Sequence, residues 1–241
     1  MFCETQMFVQ TEQTRIMKHI NNIVDISKLF LTSDSHLGHF NICRLCGRPF
    51  ETRAALNEGI IYAWNKIVPE DGIVIHLGDF ALSHSEKDAV RDYRKFAEKL
   101  NGKIILVSGN HDFIPLVDEY HTIDNFTDKF QMIVDKLMLH INGKRYFLNH
   151  EPVSCYPADY MLHGHVHLGK FTDERIKKTD NSDVKKLSLC DLNTFDCGVD
   201  HAAELLGEYR PFTFDEVMYF INKQNEDELN QVEYILKQQA K

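Results

Sequence analysis

Five stretches of this chain, four of them short apolar runs, each end in a cluster of carboxylate, amide or imidazole side chains, and this repetition narrows the possible folds sharply. Leu29-Phe30-Leu31-Thr32 leads into Asp34-Ser35-His36, and Ile73-Val74-Ile75-His76-Leu77 into Gly78-Asp79. Ile104-Ile105-Leu106-Val107 leads into Gly109-Asn110-His111-Asp112. A hairpin-like stretch ends at His150, and residues 160–163 precede Gly164-His165-Val166-His167. Runs of this length bounded by glycine and polar residues read as buried strands. Open α/β sheets collect ligand residues at the carboxyl ends of their strands. Several of the thirteen histidines fall in these clusters, which packing alone does not call for.

The residue types suit metal chemistry. Imidazole binds zinc, iron, nickel and manganese, and carboxylates add the negative charge that lets two cations sit close together. A metal pair about 3.5–4 Å apart can hold a hydroxide and clamp both oxygens of an in-line phosphoryl displacement. One carboxylate must bridge such a pair, and Asp79, at the end of its strand, is the natural candidate.

The ordered series resembles the calcineurin-like metallophosphoesterases, whose pattern runs DxH, GD, GNHD or GNHE, a lone His, then GHxH. Within that family it is similar to a small bacterial and phage-type subgroup with segments like Thr32-Ser33-Asp34-Ser35-His36-Leu37-Gly38-His39, Gly47-Arg48-Pro49-Phe50, Trp64-Asn65, His76-Leu77-Gly78-Asp79-Phe80 and Gly198-Val199-Asp200. The resemblance implies a four-layer α/β/β/α sandwich of two mixed β-sheets over residues 29–218, with residues 1–28 an N-terminal extension and 219–241 a C-terminal helical tail. It implies two divalent metal ions, drawn from Mn2+, Fe2+/Fe3+, Zn2+ or Ni2+. Asp34, His36 and His167 would bind the first, Asn110, His150 and His165 the second, with Asp79 bridging. His111 would protonate the leaving oxygen, with Asp112 as the residue that orients it. The implied activity is hydrolysis of a small, nucleotide-like phosphomonoester or phosphodiester by a hydroxide held between the metals. The alternatives are a catalytically weak binding scaffold and a nuclease acting on nucleic acid ends.

Other residues refine this picture. Arg48, in the loop after the first block, is a candidate for gripping a substrate phosphate, since guanidinium engages it bidentately. His39 is a candidate substrate-contacting residue, and His76 and His163 read as strand residues packed under the metals. His19, His84, His121, His140 and His201 read as ordinary surface or loop residues. GNHD rather than GNHE, and Phe80-Ala81-Leu82-Ser83 after Asp79, disfavour a Ser/Thr protein phosphatase.

The remaining segments read as follows. Arg53 to Ile67 and residues 86–100 are amphipathic helices, the first placing Leu56, Ile60, Trp64 and Ile67 on one face, the second Val90, Tyr93, Phe96 and Leu100. Residues 131–149 read as two strands turning at Asn142-Gly143, with further strands at 187–190 and 195–199. Residues 1–28 contain a polar stretch of helical character, and residues 168–186 a charged insertion that is either a solvated loop or a cationic flap. Thr213-x-x-Glu216 is a capping box opening a helix over 213–240, expected to pack on the domain rather than to serve as a partner helix or as the contact of a homodimer.

A net charge of −9 argues against a broad basic face for duplex DNA or an anionic membrane. Nucleic acid is therefore disfavoured as a partner, and a small phosphorylated substrate favoured. No apolar run reaches the roughly 20 residues that span a bilayer. With six cysteines and a single CxxC, Cys43 to Cys46, free thiols in a cytoplasmic protein are expected rather than a zinc or disulfide framework.

Overall fold

Leu29, Leu31, Ile75, Leu77, Ile105 and Val107 pack into one apolar cluster, while Phe30, Val74, Ile104 and Leu106, alternating with them along the chain, pack into another. Alternate side chains point to opposite faces of a strand, so these segments must be covered on both sides. The computed structural model describes residues 7–8, 17–21, 25–82, 86–112, 128–168 and 193–239. In chain order its strands are β1 (Met7–Phe8), β2 (Met17–Asn21), β3 (Leu29–Thr32), β4 (Ile73–His76), β5 (Lys103–Val107), β6 (Phe130–Val134), β7 (Lys136–Ile141), β8 (Lys144–Leu148), β9 (Tyr160–His163), β10 (Thr194–Asp196) and β11 (Phe212–Thr213). Its helices are α1 (Asn41–Cys46), α2 (Arg53–Ile67), α3 (Glu86–Ala97), α4 (Val199–Leu206) and α5 (Phe214–Gln239).

Two mixed sheets result. One runs β11-β3-β4-β5-β6, parallel except for β11, and the other runs β1-β2-β7-β8-β9-β10. Leu137, Leu139, Ile141, Tyr146, Leu148 and Leu162 of the second sheet meet the inward face of the first, forming the core between them. The opposite face of the first sheet is covered by Ile42 of α1, Leu56, Ile60 and Trp64 of α2, and Tyr93 and Phe96 of α3. Each fully buried aliphatic side chain in these layers contributes about 1.5–3 kcal/mol. On the outer face of the second sheet, Met138, Phe147 and Met161 are covered by Val153, Tyr156 and Ala158. Helix α5 joins the intersheet core through Phe214, Val217 and Ile221.

Local signals account for most boundaries. Thr52 Oγ1 accepts from Ala55 N at 3.1 Å and starts α2, which spans Arg53–Ile67 with Leu56, Ile60 and Trp64 buried. Asn142 and Gly143 both take positive φ, 51° and 75°, as the two-residue turn between antiparallel β7 and β8 requires. Thr213 and Glu216 form the reciprocal box: Glu216 N donates to Thr213 Oγ1 at 3.1 Å and Thr213 N to Glu216 Oε2 at 2.9 Å.

Three expectations are corrected. Residues 131–134 do not belong to the hairpin: they lie in β6, in the other sheet, paired with β5. Met17–Asn21 lies in no helix but forms β2, parallel to β7. Strand character at 195–199 ends at Asp196, and α4 begins at Val199. The expected strand at 187–190, nearly all of the 168–186 insertion, His84, His121 and the side chain of Val90 lie outside the described residues.

Candidate metal centre

Every cluster singled out in the sequence lies just past the carboxyl end of a strand. Asp34 and His36 follow β3, Asp79 follows β4, and Gly109 to Asp112 follow β5, all in one sheet. His150 follows β8, and His165 and His167 follow β9, in the other. The loops are stitched edge to edge: Asp34 N donates to Gly78 O and His36 N to Asp79 O, both at 2.9 Å. His165 N donates to Asp34 Oδ2 at 2.9 Å and links the two sheets. The motif glycines allow this closeness, because a Cβ on Gly109 would run into the Asp79 carboxylate and one on Gly164 into Ser33 and Asp34.

Backbone strain gathers at the same place. Asp34, His36, Asp79, His165 and His167 all have positive φ, between 48° and 71°, and supply five of the seven non-glycine cases among the described residues. Such conformations are uncommon and cluster where surrounding structure over-determines them, often at functional sites.

The side-chain atoms converge in two groups. His150 Nε2 lies 2.9 Å from Asn110 Oδ1, His165 Nδ1 3.0 Å from the same oxygen, and the two nitrogens are 3.3 Å apart. Donors sharing one cation at about 2.0–2.2 Å stand roughly 3 Å apart or slightly more, so this spacing suits one metal. Asp34 Oδ1 lies 3.6 Å from His167 Nε2 and 4.0 Å from His36 Nε2, and the three residues form a candidate metal group. Asp79 Oδ2 sits between the groups, 3.4 Å from His36 Nε2 and 3.5 Å from His150 Nε2.

Two of these atoms carry a further mark. Asp34 Oδ1 and His36 Nε2 are buried and have no hydrogen-bond partner among the described residues. An unsatisfied buried polar atom costs about 1–3 kcal/mol, and a cation between them would satisfy both. Burial, reinforced by neighbouring His167 and Arg48, holds the His36 imidazole well below its ordinary pKa, leaving a lone pair to offer. The His150 Nδ1 side faces Leu77 O at 2.8 Å, which fixes the ring and frees Nε2. Burial pushes the Asp79 carboxyl up to about 6 despite the opposing pull of His150.

Residues around the donors divide by what they touch. His111 is exposed, its N donating to Asp79 Oδ1 at 2.8 Å and its ring 5.4 Å from that of His36. His39 is half-buried, its Nδ1 3.4 Å from His36 Nδ1 and its ring 6.3 Å from that of His111. His76, under the site, bonds Ser35 Oγ at 2.8 Å, and buried His163 faces Gly164 O at 3.0 Å. Of the histidines expected on the surface or in loops, His19, His140 and His201 are partly exposed but lie in regular elements: His19 and His140 in adjacent strands, and His201 in α4, its Nδ1 2.7 Å from Asp196 O.

Two assignments change. Arg48 does not face a substrate: its side chain is buried, donating to Asp200 Oδ1 and Oδ2 at 2.8 Å each, to Asp34 O at 2.7 Å and to Ser35 O at 3.1 Å. Asp112 does not orient His111. Its carboxylate accepts from Asp79 N and Gly109 N at 2.8 Å, from Phe80 N at 3.0 Å and from the Tyr93 hydroxyl, locking two loops together. A third residue was missed. Asp200 Oδ2 lies 2.7 Å from His167 Nδ1 and orients that ring. Its signal was a carboxylate just beyond a strand, in Gly198-Val199-Asp200, the same pattern as the other blocks.

Fold and site together define a phosphoesterase of the two-sheet, metal-binding kind. The family profile described as "Calcineurin-like phosphoesterase superfamily domain" matches residues 28–182. The chain belongs to this superfamily and is a metal-dependent phosphoric ester hydrolase. It is 34% identical over 147 residues to the uncharacterized protein MJ1445 of Methanocaldococcus jannaschii, covering 60% of this chain and 72% of that one. The solved structure of AQ665, a protein of unknown function from Aquifex aeolicus, shares the fold with a TM-score of 0.54 at 22% identity, over 80% of this chain and 98% of that one. A novel archaeal phosphodiesterase aligns at a TM-score of 0.32 and 20% identity, over 58% of this chain and 74% of that one. No helix among the described residues is long and apolar enough to cross a membrane.

Proposed function

We propose that this protein is a cytoplasmic enzyme hydrolysing a small, nucleotide-like phosphomonoester or phosphodiester with two divalent metal ions, of the manganese, iron, zinc or nickel class. The observation that carries this reading is the position of Asp79 Oδ2, 3.4 Å from one candidate donor group and 3.5 Å from the other. Asp34, His36 and His167 would hold one ion, Asn110, His150 and His165 the other, and Asp79 both. When bound, such a pair activates water and draws charge from the phosphoryl group.

The chain's own residues would do the rest. His111, exposed beside the donors but anchored by its backbone to Asp79 Oδ1, would hold a proton for the departing oxygen. His39, next to His36, would contact the phosphate from the same side. A cavity of about 310 Å³ adjoins Asn110 and His150 and is lined by Ser108, Asp135, Lys136, Asn149, Glu151 and Val153. Its size is at the lower end of small-ligand sites, roughly 300–1,000 Å³, which favours a small ester over a polymer.

The test compares leaving groups. A positioned acid contributes about 10²–10⁴-fold when the departing oxygen needs a proton. His111→Ala should therefore retain bound metal yet lose turnover by about that factor on an alkyl phosphate ester, and far less on a 4-nitrophenyl ester. Equal losses on both would assign His111 to phosphate binding. A wild-type protein that turns over neither ester with any of the four metals would point to a binding scaffold instead.

A further inference from the structure

Cys46, His167 and Asp200 offer a sulfur, a nitrogen and an oxygen atom that all lie within 4.8 Å of one another. The imidazole is in the middle: its Nδ1 is 3.4 Å from Cys46 Sγ and 2.7 Å from Asp200 Oδ2. In a tetrahedral site, with metal–sulfur distances of about 2.3 Å and metal–nitrogen or metal–oxygen distances of about 2.0–2.2 Å, neighbouring donors stand roughly 3.3–3.6 Å apart. Small side-chain adjustments therefore suffice to admit a cation where the Nδ1 proton now lies.

The three donors are presented by separate, well-anchored pieces of backbone. Cys46 closes α1, which Gly47 ends in the left-handed conformation. Asp200 lies in the first turn of α4, and Arg48 holds it with two bonds. A carboxylate has about four lone-pair sites, so Oδ2 keeps one for a cation after Arg48 is satisfied. Formal charge also permits it: Arg48 balances Asp200, and a Cys46 thiolate leaves the cluster with one net negative charge, or two where His167 is an imidazolate. Cys46 and His167 are both partly exposed, which gives an ion a path to the cluster.

Sulfur distinguishes this cluster from the nitrogen and oxygen groups described above, with one of which it shares His167. Thiolate selects softer cations such as zinc, cadmium and cobalt over magnesium and manganese. We propose that Cys46, His167 and Asp200 form an additional site for one thiophilic divalent cation. Binding forms metal–sulfur, metal–nitrogen and metal–oxygen bonds and releases the Cys46 thiol proton to solvent, with no change in oxidation state; the Nδ1 proton of His167 moves to Nε2 where that nitrogen is free, and goes to solvent where Nε2 holds another ion, making the ring a bridging imidazolate. The site goes beyond the hydrolytic reading and stands whether or not the chain turns over an ester.

Cobalt(II) reports the difference directly, because only a thiolate ligand gives its intense near-ultraviolet charge-transfer band. The full-length protein, stripped with a chelator, should develop this band on cobalt titration and saturate at one thiolate-bound ion per chain. Zinc should abolish the band and manganese should leave it. Cys46→Ser should lack it, while Cys155→Ser, altered at an exposed thiol elsewhere, should show it in full. Circular dichroism confirms that each variant is folded before the comparison. No band in the wild type, or a band that survives Cys46→Ser, would overturn the proposal.

Discussion

Arg48 shows how far the role of one side chain depends on its surroundings. It is 4% exposed, paired with Asp200 at 8%, and also ties down the carbonyls of Asp34 and Ser35. Burial alone would raise the Asp200 carboxyl, but Arg48 and His167 outweigh it and hold it down at about 2. A folded pKa below the ordinary value means stability that is present above the usual carboxylate range and fades as pH falls towards about 2. Arg48→Met would leave a buried carboxylate facing only His167. Breaking a buried pair in this way costs about 3–5 kcal/mol, so the urea midpoint should fall accordingly. A variant of undiminished stability whose only change is a raised KM would return Arg48 to the substrate.

Among the elements, the helix at the carboxyl end is a local construction. Thr213 and Glu216 satisfy each other's backbone donors, and Arg210 clamps Glu216 with bonds of 2.9 Å and 2.6 Å. Thr213→Ala should cost about 1 kcal/mol, the usual worth of such a cap, visible as a lower melting temperature. A shift within error would mean that packing of Phe214, Val217 and Ile221 alone holds α5. Strands behave differently. β6 and β7 are separated by Asp135 alone, yet they join opposite sheets. Both are largely apolar, so nothing in their own residues distinguishes a hairpin arm from a strand of the neighbouring sheet.

The assembled chain places the candidate centre across its two sheets. Asp34, Asp79 and Asn110 come from one, and His150, His165 and His167 from the other. A cation held by both is a cross-link that the unfolded chain cannot make. Ligand at about 100 times its Kd stabilises the native state by about 2.7 kcal/mol. Adding manganese to chelator-treated protein should therefore raise the melting temperature by several degrees, and Asp79→Asn should lose most of that increment. A melting temperature indifferent to both chelator and metal would contradict a centre shared between the sheets.

The donor-bearing blocks from Asp34 to His167, the helix Arg53–Ile67, the turn at Asn142-Gly143 and the capping box at Thr213 are all readable in the amino-acid order. Each rests on a short-range rule: apolar period, turn chemistry, cap, or donor type after a strand. The tasks of Arg48, Asp112 and Asp200 are not readable in this way. Arg48 and Asp200 stand 152 residues apart, and the Asp112 carboxylate reaches Asp79 N across 33. A charged side chain can turn to solvent, to a ligand or inward to a partner, and its neighbours in sequence leave all three open. Burial makes the choice, because a carboxylate removed from water is stable only where donors surround it, and those donors arrive when the two sheets close.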